Sequence, residues 1–189
     1  MSLKGSLSYS LRRRFFWPSF AATLLIYIAI GLVSAPLINA TAQTGIVSFE
    51  LAGTWERAQQ ILTSWDEYAR RYAAFSLGFD YLFMLAYAFT LALACALAGE
   101  ALRERAWTLG NRSGLFAGAA ILAALFDAVE NLGLSLILLE SYGSPWPQIA
   151  RFCAFAKVLL LFVCMVYAFL GLVVFLVGRL VPTASNSAD

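Results

Sequence analysis

The sequence contains no histidine among its 189 residues, and charged residues make up only 13% of it. Without histidine, a histidine-ligated metal centre and a Ser-His or Cys-His catalytic pair are both excluded. The three cysteines include no C-x-x-C pair, which also excludes a redox dithiol and a zinc ribbon. Only carboxyl groups, lysine, tyrosine and serine remain for any chemistry.

The scarcity of charge also excludes the water-soluble classes of protein. Soluble domains carry about 25% charged residues, whereas this chain is 61% hydrophobic. A soluble enzyme and a disordered chain are therefore excluded. The net charge of +2 is too small to indicate nucleic acid or another polyanion as partner. The sequence predicts a polytopic membrane protein surrounded by membrane lipid.

Four apolar stretches are long enough to cross about 30 Å of hydrocarbon as helices. They cover residues 20–38, 73–98, 114–139 and 152–181. We therefore expect one integral membrane domain over residues 1–189, of all-α class, built as a bundle of four transmembrane helices. Glycines at every fourth position, Gly110, Gly114 and Gly118, favour close helix packing within this bundle or in a homodimer. The polar tail, residues 182–189, is expected to be disordered.

The first apolar stretch also resembles a secretory signal peptide, because Arg12–Arg14 precede it and Ala40-Thr41-Ala42 follow it. The stretch is 19 residues long, whereas the apolar region of a signal peptide has about 7–15. Its length favours retention as a membrane anchor.

Glu50 interrupts the apolar pattern of the connection between the first two spans, so residues 46–62 are not a further span. Their helical spacing predicts an amphipathic helix instead. One face carries the apolar residues Leu51, Trp55, Ala58 and Leu62. We expect this helix to lie in the outer membrane interface or over the mouth of the bundle. Ser64 and Glu67 then fit a capping box, which places the start of the second transmembrane helix near Trp65.

The distribution of lysine and arginine predicts the orientation in the membrane. One side, which includes both termini, holds Lys4, Arg12, Arg13, Arg14, Arg103, Arg105, Arg112 and Arg179. The other side holds Arg57, Arg70, Arg71 and Arg151. We therefore expect a multi-pass protein of the cell membrane with both termini in the cytoplasm.

Four ionisable residues lie inside the predicted spans, where they are costly and usually functional. They are Asp80, Asp127, Glu130 and Lys157. At a rise of 1.5 Å per residue they lie about 8–18 Å deep, all measured from the same side of the membrane. That side is the one at which the second span begins, the third ends and the fourth begins. We therefore expect all four in the outer half of the bilayer.

Helical spacing brings polar residues onto common faces of these spans. Asp127, Glu130 and Asn131 follow an i, i+3, i+4 pattern on the third span, and Asp80 and Tyr87 share a face of the second. On the first span, Tyr27 and Ser34 offer further polar groups from one face. The pattern predicts a polar site between the helices that opens outward.

Charge balance indicates how this site is ionised. Three carboxylates against the single lysine, Lys157, leave two negative charges uncompensated. In a purely structural alternative, Lys157 pairs with Asp80 or Glu130 only to fix the register of the helices. Carboxylates close together in a low-dielectric site cannot all ionise, so at least one holds a proton, with Asp127 or Glu130 as the better candidates. The nearby lysine argues against a metal ion, and the sequence predicts neither metal nor cofactor.

The resulting hypothesis is a protein that binds a small amphipathic or lipid-like ligand, with Asp80, Asp127, Glu130, Asn131, Lys157 and Tyr87 as its ligand-binding or proton-carrying residues. One alternative is a small proton-linked transporter that acts as a homodimer. Others are an intramembrane enzyme with a protonated carboxyl as general acid, and a structural subunit of a membrane complex. No catalytic residue is assigned, and the sequence favours a non-enzymatic function.

Overall fold

A computed structural model describes residues 3–139 and 145–180, with side chains from residue 9 onward, and all regular secondary structure in these ranges is helical, with no strand. The helices are α1 (Leu3–Ser34), α2 (Ile46–Glu50), α3 (Trp55–Ser64), α4 (Glu67–Glu104), α5 (Ser113–Leu138) and α6 (Trp146–Leu180), with short 3₁₀ turns at Ala35–Leu37 and Thr108–Arg112. The predicted disordered tail, residues 182–189, lies outside the described ranges.

Four of the helical segments are long and apolar enough to span a membrane. They are Tyr9–Leu37, Glu67–Glu104, Thr108–Leu138 and Trp146–Leu180. This confirms the prediction of an all-α, multi-pass architecture with four spans. Several spans extend beyond the apolar stretches in the sequence, because a helix continues past the hydrocarbon for as long as its ends are capped or hydrated.

The start of α4 corrects the predicted capping box. Asp66, rather than Ser64, is the N-cap, and its carboxylate accepts a hydrogen bond from the backbone N–H of Ala69 at 2.7 Å. Ser64 instead ends α3, where its hydroxyl donates to the carbonyl of Ile61. An aspartate two residues from the expected position meets the same requirement of the free N–H groups.

Helix α4 is the centre of the bundle and contacts α1, α5 and α6, while α5 also packs against α6. In contrast, α1 lies at the periphery, since only 6% of its most apolar window is buried. Two hydroxyl pairs join α1 to α4: Thr23 with Thr90 at 2.9 Å, and Ser34 with Ser76 at 2.8 Å. The buried interior is therefore formed mainly by α4, α5 and α6.

The connection between α1 and α4 corrects a second prediction, because it forms two short helices instead of one helix over residues 46–62. The break falls at Gly53, whose φ of +70° favours glycine. Thr54 then caps α3 by accepting a hydrogen bond from the N–H of Arg57 at 3.2 Å. Ala58 and Leu62 of the predicted apolar face are buried, whereas Leu51 is exposed. We call residues 46–64 the cap, and the end of the bundle beneath it the cap end.

The cap packs tightly on the bundle. Trp65 Nε1 donates to the carbonyl of Leu37 at 2.9 Å, and the guanidinium of Arg70 donates to the carbonyl of Leu62 at 2.8 Å. Phe49 contacts Trp65 edge to face, with 5.4 Å between the ring centroids. The apolar residues among these belong to one buried cluster, which consists of Leu37, Phe49, Leu62 and Trp65 together with Ala58, Ile61, Ala69, Ala73, Leu134, Ile137 and Ala150. The cap therefore covers α4, α5 and α6 where their polar residues lie.

The opposite end of the bundle, where α1 begins, has an apolar interior. Cys95, Cys164 and Tyr167 are buried there, and the Tyr167 ring stacks on Phe116 with centroids 3.9 Å apart. Gly171 of α6 contacts Ala98 of α4 so closely that a Cβ at position 171 has no room. We call this end the basic end, because Arg12, Arg13, Arg103, Arg105 and Arg179 lie in its helices and turn.

Candidate functional site

The face of α5 that was predicted from spacing lies in the interior of the bundle. Asp127, Glu130 and Asn131 are 2%, 0% and 1% exposed, respectively. A carboxyl or amide group that is buried this completely is costly without a hydrogen-bond or ion-pair partner, so each of these three groups needs one. The partners come from α4, α6 and the cap.

Lys157 of α6 lies between two carboxylates of α5. Its Nζ is 2.8 Å from Asp127 Oδ1 and 2.9 Å from Glu130 Oε2. The contact with Asp127 also has hydrogen-bond geometry, whereas the contact with Glu130 meets the distance of an ion pair only. The sequence offered Asp80 and Glu130 as partners of Lys157. The structure pairs Lys157 with Glu130 and also with Asp127, which the sequence did not indicate. Asp80 forms no ion pair with Lys157 in the described part of the chain.

Asp127 has a donor for each carboxylate oxygen. Tyr87 of α4 donates its hydroxyl to Asp127 Oδ2 at 2.9 Å, while Lys157 donates to Oδ1. The Tyr87 ring is held in place by Phe83, with 5.3 Å between the centroids. A cation and a hydroxyl thus donate to the two oxygens of this carboxyl, and Asp127 is the hydrogen-bonded partner of Lys157.

Asp80 joins the site through an amide rather than through the lysine. Asn131 donates from Nδ2 to Asp80 Oδ2 at 2.6 Å, across the α4–α5 contact. Asp80 is only half-buried, in contrast to the fully buried Asp127 and Glu130. It therefore stands toward the edge of the site, where α4 approaches the cap end.

Glu50, the last residue of α2, is a fourth carboxyl group of the site, and the sequence reasoning missed it. Helix α2 contacts both α5 and α6, and the carboxyl of Glu50 lies close to those of Glu130 and Asp127 and to the ammonium of Lys157. Burial raises the pKa of Glu50 above its ordinary value of 4.5, and the nearby Asp127 carboxylate adds to this rise, while Lys157 opposes it. In the sequence alone, Glu50 stands out only as a charge that interrupts an apolar pattern. The glycines on both sides of α2, Gly45 and Gly53, are the signal that could have indicated a short helix folded inward.

Two carboxylates side by side have no hydrogen to share, so a bond between Glu50 and Glu130 needs a proton on one of them. Both oxygens of Glu130 are buried without a hydrogen-bond partner in the described part of the chain. We define the acidic cluster as Glu50, Asp80, Asp127 and Glu130, together with Asn131, Lys157 and Tyr87. Its four carboxyl groups face one ammonium.

The first span does not reach the acidic cluster, contrary to the polar face that its sequence suggested. Ser34 is bonded to Ser76 of α4. Tyr27 is 62% exposed, and its ring packs beside Phe83 with 5.9 Å between centroids. The cluster is therefore built by α4, α5, α6 and the cap.

Among the described residues, no group of three or more histidine, cysteine or acidic side chains is arranged to hold a metal ion. The arrangement can bind positive charge and can exchange protons, since its acceptors outnumber its donors. Comparison with known proteins finds no matching family model, no similar curated protein and no similar solved structure.

Proposed function

We propose that this multi-pass membrane protein binds a small amphipathic ligand through a cationic headgroup, and that the acidic cluster is its binding site. One observation carries the proposal: four carboxyl groups from α2, α4 and α5 gather in one site, and its one described ammonium, that of Lys157, is paired with only two of them. Buried carboxyl groups in such excess must hold protons or accept another cation. Intramembrane ionisable residues are functional far more often than not.

For the chemistry of binding, we propose that Glu50 and Glu130 share one proton before a ligand binds, because the two acids lie close together and both oxygens of Glu130 lack a donor in the described part of the chain. An ammonium beside these two groups would form ion pairs with both carboxylates, so the shared proton would pass to water. Asp127 would keep its bonds to Lys157 and Tyr87 and serve as a fixed support. The ligand's apolar part would lie against aromatic side chains at the edge of the cluster, such as Phe83.

The cap would control access to this site. It carries Glu50, and its helix α3 has buried residues on one face and exposed polar residues such as Glu56 and Gln60 on the other, as an amphipathic helix at a membrane interface requires. We place the cap at the outer interface and both termini in the cytoplasm, because lysine and arginine are concentrated at the basic end. A ligand would then enter from the outer leaflet or the outer solution.

The binding experiment uses the full-length protein in phosphatidylcholine nanodiscs with hexadecylammonium as the probe and hexadecanol as its uncharged counterpart. Binding is followed by thermal shift and by proton release into a weakly buffered solution. We expect the amine, but not the alcohol, to stabilise the protein and to release protons. Asp80→Asn should weaken binding by about tenfold, the loss of one charged contact worth about 1.4 kcal/mol.

The matched control is Glu56→Gln, which removes an exposed carboxylate of the cap outside the cluster. It should bind the amine as the unmodified protein does. Equal stabilisation by the amine and the alcohol, or equal losses for Asp80→Asn and Glu56→Gln, would contradict the proposal. A large drop in stability of Asp80→Asn with unchanged amine binding would mark the cluster as a structural element.

A proton-linked transporter, acting as a homodimer, is the second candidate, and the proximity of the Glu50 and Glu130 carboxyl groups, which would allow a proton to be exchanged there, favours it. Transport needs a path through the other half of the bundle, where Cys95, Cys164 and Tyr167 are packed together. Acidification of the lumen as amine loaded inside proteoliposomes leaves would select this candidate, because a carboxyl group exchanges one proton for each ammonium. Proton release without net flux would select the binding protein.

A further inference from the structure

A cavity lies at the basic end, far along the helices from the acidic cluster. It is a groove between α1, α4 and α6 with a volume of about 430 Å³, within the size range of small-molecule sites, about 300–1,000 Å³. A smaller cavity of about 140 Å³ adjoins it and shares Ala101, Glu104, Phe175 and Arg179 with it. The two form one continuous groove, which we call the basic-end groove.

The groove exists because small residues face bulky ones. Ala94, Ala98 and Ala101 of α4 and Ala168 and Gly171 of α6 form its floor, where Gly171 and Ala98 are in direct contact. The walls are aromatic and come from α1 and α6: Phe16, Trp17, Phe20, Phe169 and Phe175. Such an elongated apolar surface fits a hydrocarbon chain.

The mouth of the groove is positively charged. Arg13 of α1 and Arg179 of α6 line the main cavity, and Arg105 lines the smaller one, against a single carboxylate, Glu104. Within the described residues, neither Arg13 nor Arg179 forms an ion pair. The guanidinium of Arg179 lies over the Phe175 ring, 4.7 Å from its centroid, which holds the charge at the mouth.

We propose that the basic-end groove is a binding site for an anionic phospholipid, with an acyl chain along its aromatic walls and the phosphate between Arg13 and Arg179. Charge complementarity decides the occupant: arginine is the preferred partner of phosphate, and basic pockets between transmembrane helices bind anionic headgroups. Trp17, at the level of the mouth, is typical of the headgroup region. This site is separate from the acidic cluster and does not depend on the ligand proposed there.

The test compares lipids that differ only in headgroup. Native mass spectrometry of the full-length protein counts bound dioleoyl phosphatidylglycerol and dioleoyl phosphatidylcholine. We expect a clear preference for phosphatidylglycerol, and Arg13→Gln/Arg179→Gln should reduce it by about fivefold for each arginine removed. The control, Arg14→Gln/Arg112→Gln, removes the same charge from exposed positions outside the groove and should keep the preference.

A filled groove tests the acyl chain. Ala94→Phe should abolish retention of phosphatidylglycerol although every arginine remains, while Ala74→Phe, at an exposed position of the same helix, should not. Melting temperatures of both variants are measured to establish that they are folded. Equal lipid preference in the two arginine pairs would reduce the effect to general surface charge and overturn the site. Full retention by a folded Ala94→Phe variant would overturn the groove as the place of the chain.

Discussion

Asp127 and Glu130 lie one helical turn apart on α5, yet their surroundings give them different roles. Asp127 receives a hydrogen bond on each oxygen, from Lys157 and from Tyr87. Glu130 receives none of good geometry within the described chain and lies close to another carboxyl, that of Glu50. The acid with two donors and the acid without one are thus separated by about 5 Å along one helix.

The raised pKa of Glu50 predicts how stability depends on pH. A carboxyl whose pKa is higher in the folded than in the unfolded protein stabilises the fold fully below pH 4.5, and this contribution is lost as the pH rises through the folded-state value. Glu50→Gln keeps a hydrogen-bond donor for Glu130 but cannot ionise. We therefore expect the melting temperature of Glu50→Gln to decline less between pH 5 and 9 than that of the unmodified protein.

Glu56→Gln is the control for this measurement as well, because Glu56 is exposed and should leave the pH profile unchanged. A steeper decline in Glu50→Gln than in the unmodified protein would refute the assignment of the proton to the Glu50–Glu130 contact.

The residues that the sequence predicted correctly are those related by spacing within one helix. Asp127, Glu130 and Asn131 share a buried face because i, i+3 and i+4 do so in any α-helix. The contact of Glu50 with Glu130, and the pairing of Lys157 with Asp127, depend on how separate elements pack. Periodicity within one element carries no information about such packing, so a single sequence could not supply these contacts.

At the scale of elements, the close approach of α4 and α6 depends on one glycine. Gly171 lies against Ala98, and any side chain there must push the two helices apart. We expect Gly171→Ala to destabilise the protein by about 1–3 kcal/mol, the usual effect of overpacking. Unfolding followed by the fluorescence of the five tryptophans in increasing denaturing detergent measures it.

Gly118 of α5 provides the matched control, since a Cβ there meets nothing within 4 Å. Gly118→Ala should be neutral or slightly stabilising, because alanine has the higher helix propensity. Similar losses of stability in both variants would contradict a particular dependence of the α4–α6 contact on Gly171. The repeat of glycines at every fourth position therefore did not predict which glycine packs, because Gly118 faces open space while Gly171 does not.

The cap shows the limit of amphipathic patterns for short elements. The apolar face of residues 46–62 was correct at Ala58 and Leu62, but the pattern continued across Gly53, where the backbone turns. A positive φ at one glycine redirects the chain, and hydrophobic spacing alone cannot reveal it.

For the whole molecule, the four spans predict that the cap and the turn after α4 lie on opposite sides of the membrane. Single cysteines introduced by Thr63→Cys in the cap and Thr108→Cys in the turn occupy exposed positions, whereas all three native cysteines are buried. A membrane-impermeant thiol reagent added to intact cells should label Thr63→Cys and not Thr108→Cys. Labelling of Thr108→Cys alone would reverse the orientation, and labelling of both would contradict the four-span topology.

The pairing of Lys157 with Asp127, 30 residues earlier in the chain, has a consequence for biosynthesis. The carboxyl groups of α4 and α5 leave the ribosome before the cation that balances them has been synthesised. Until α6 arrives, α5 must enter the membrane with its acids protonated or remain beside the translocation machinery, since uncompensated charges are costly in lipid. Helix α6 would therefore be needed to balance these acids, and a chain that stops before Lys157 should be a substrate for membrane quality control.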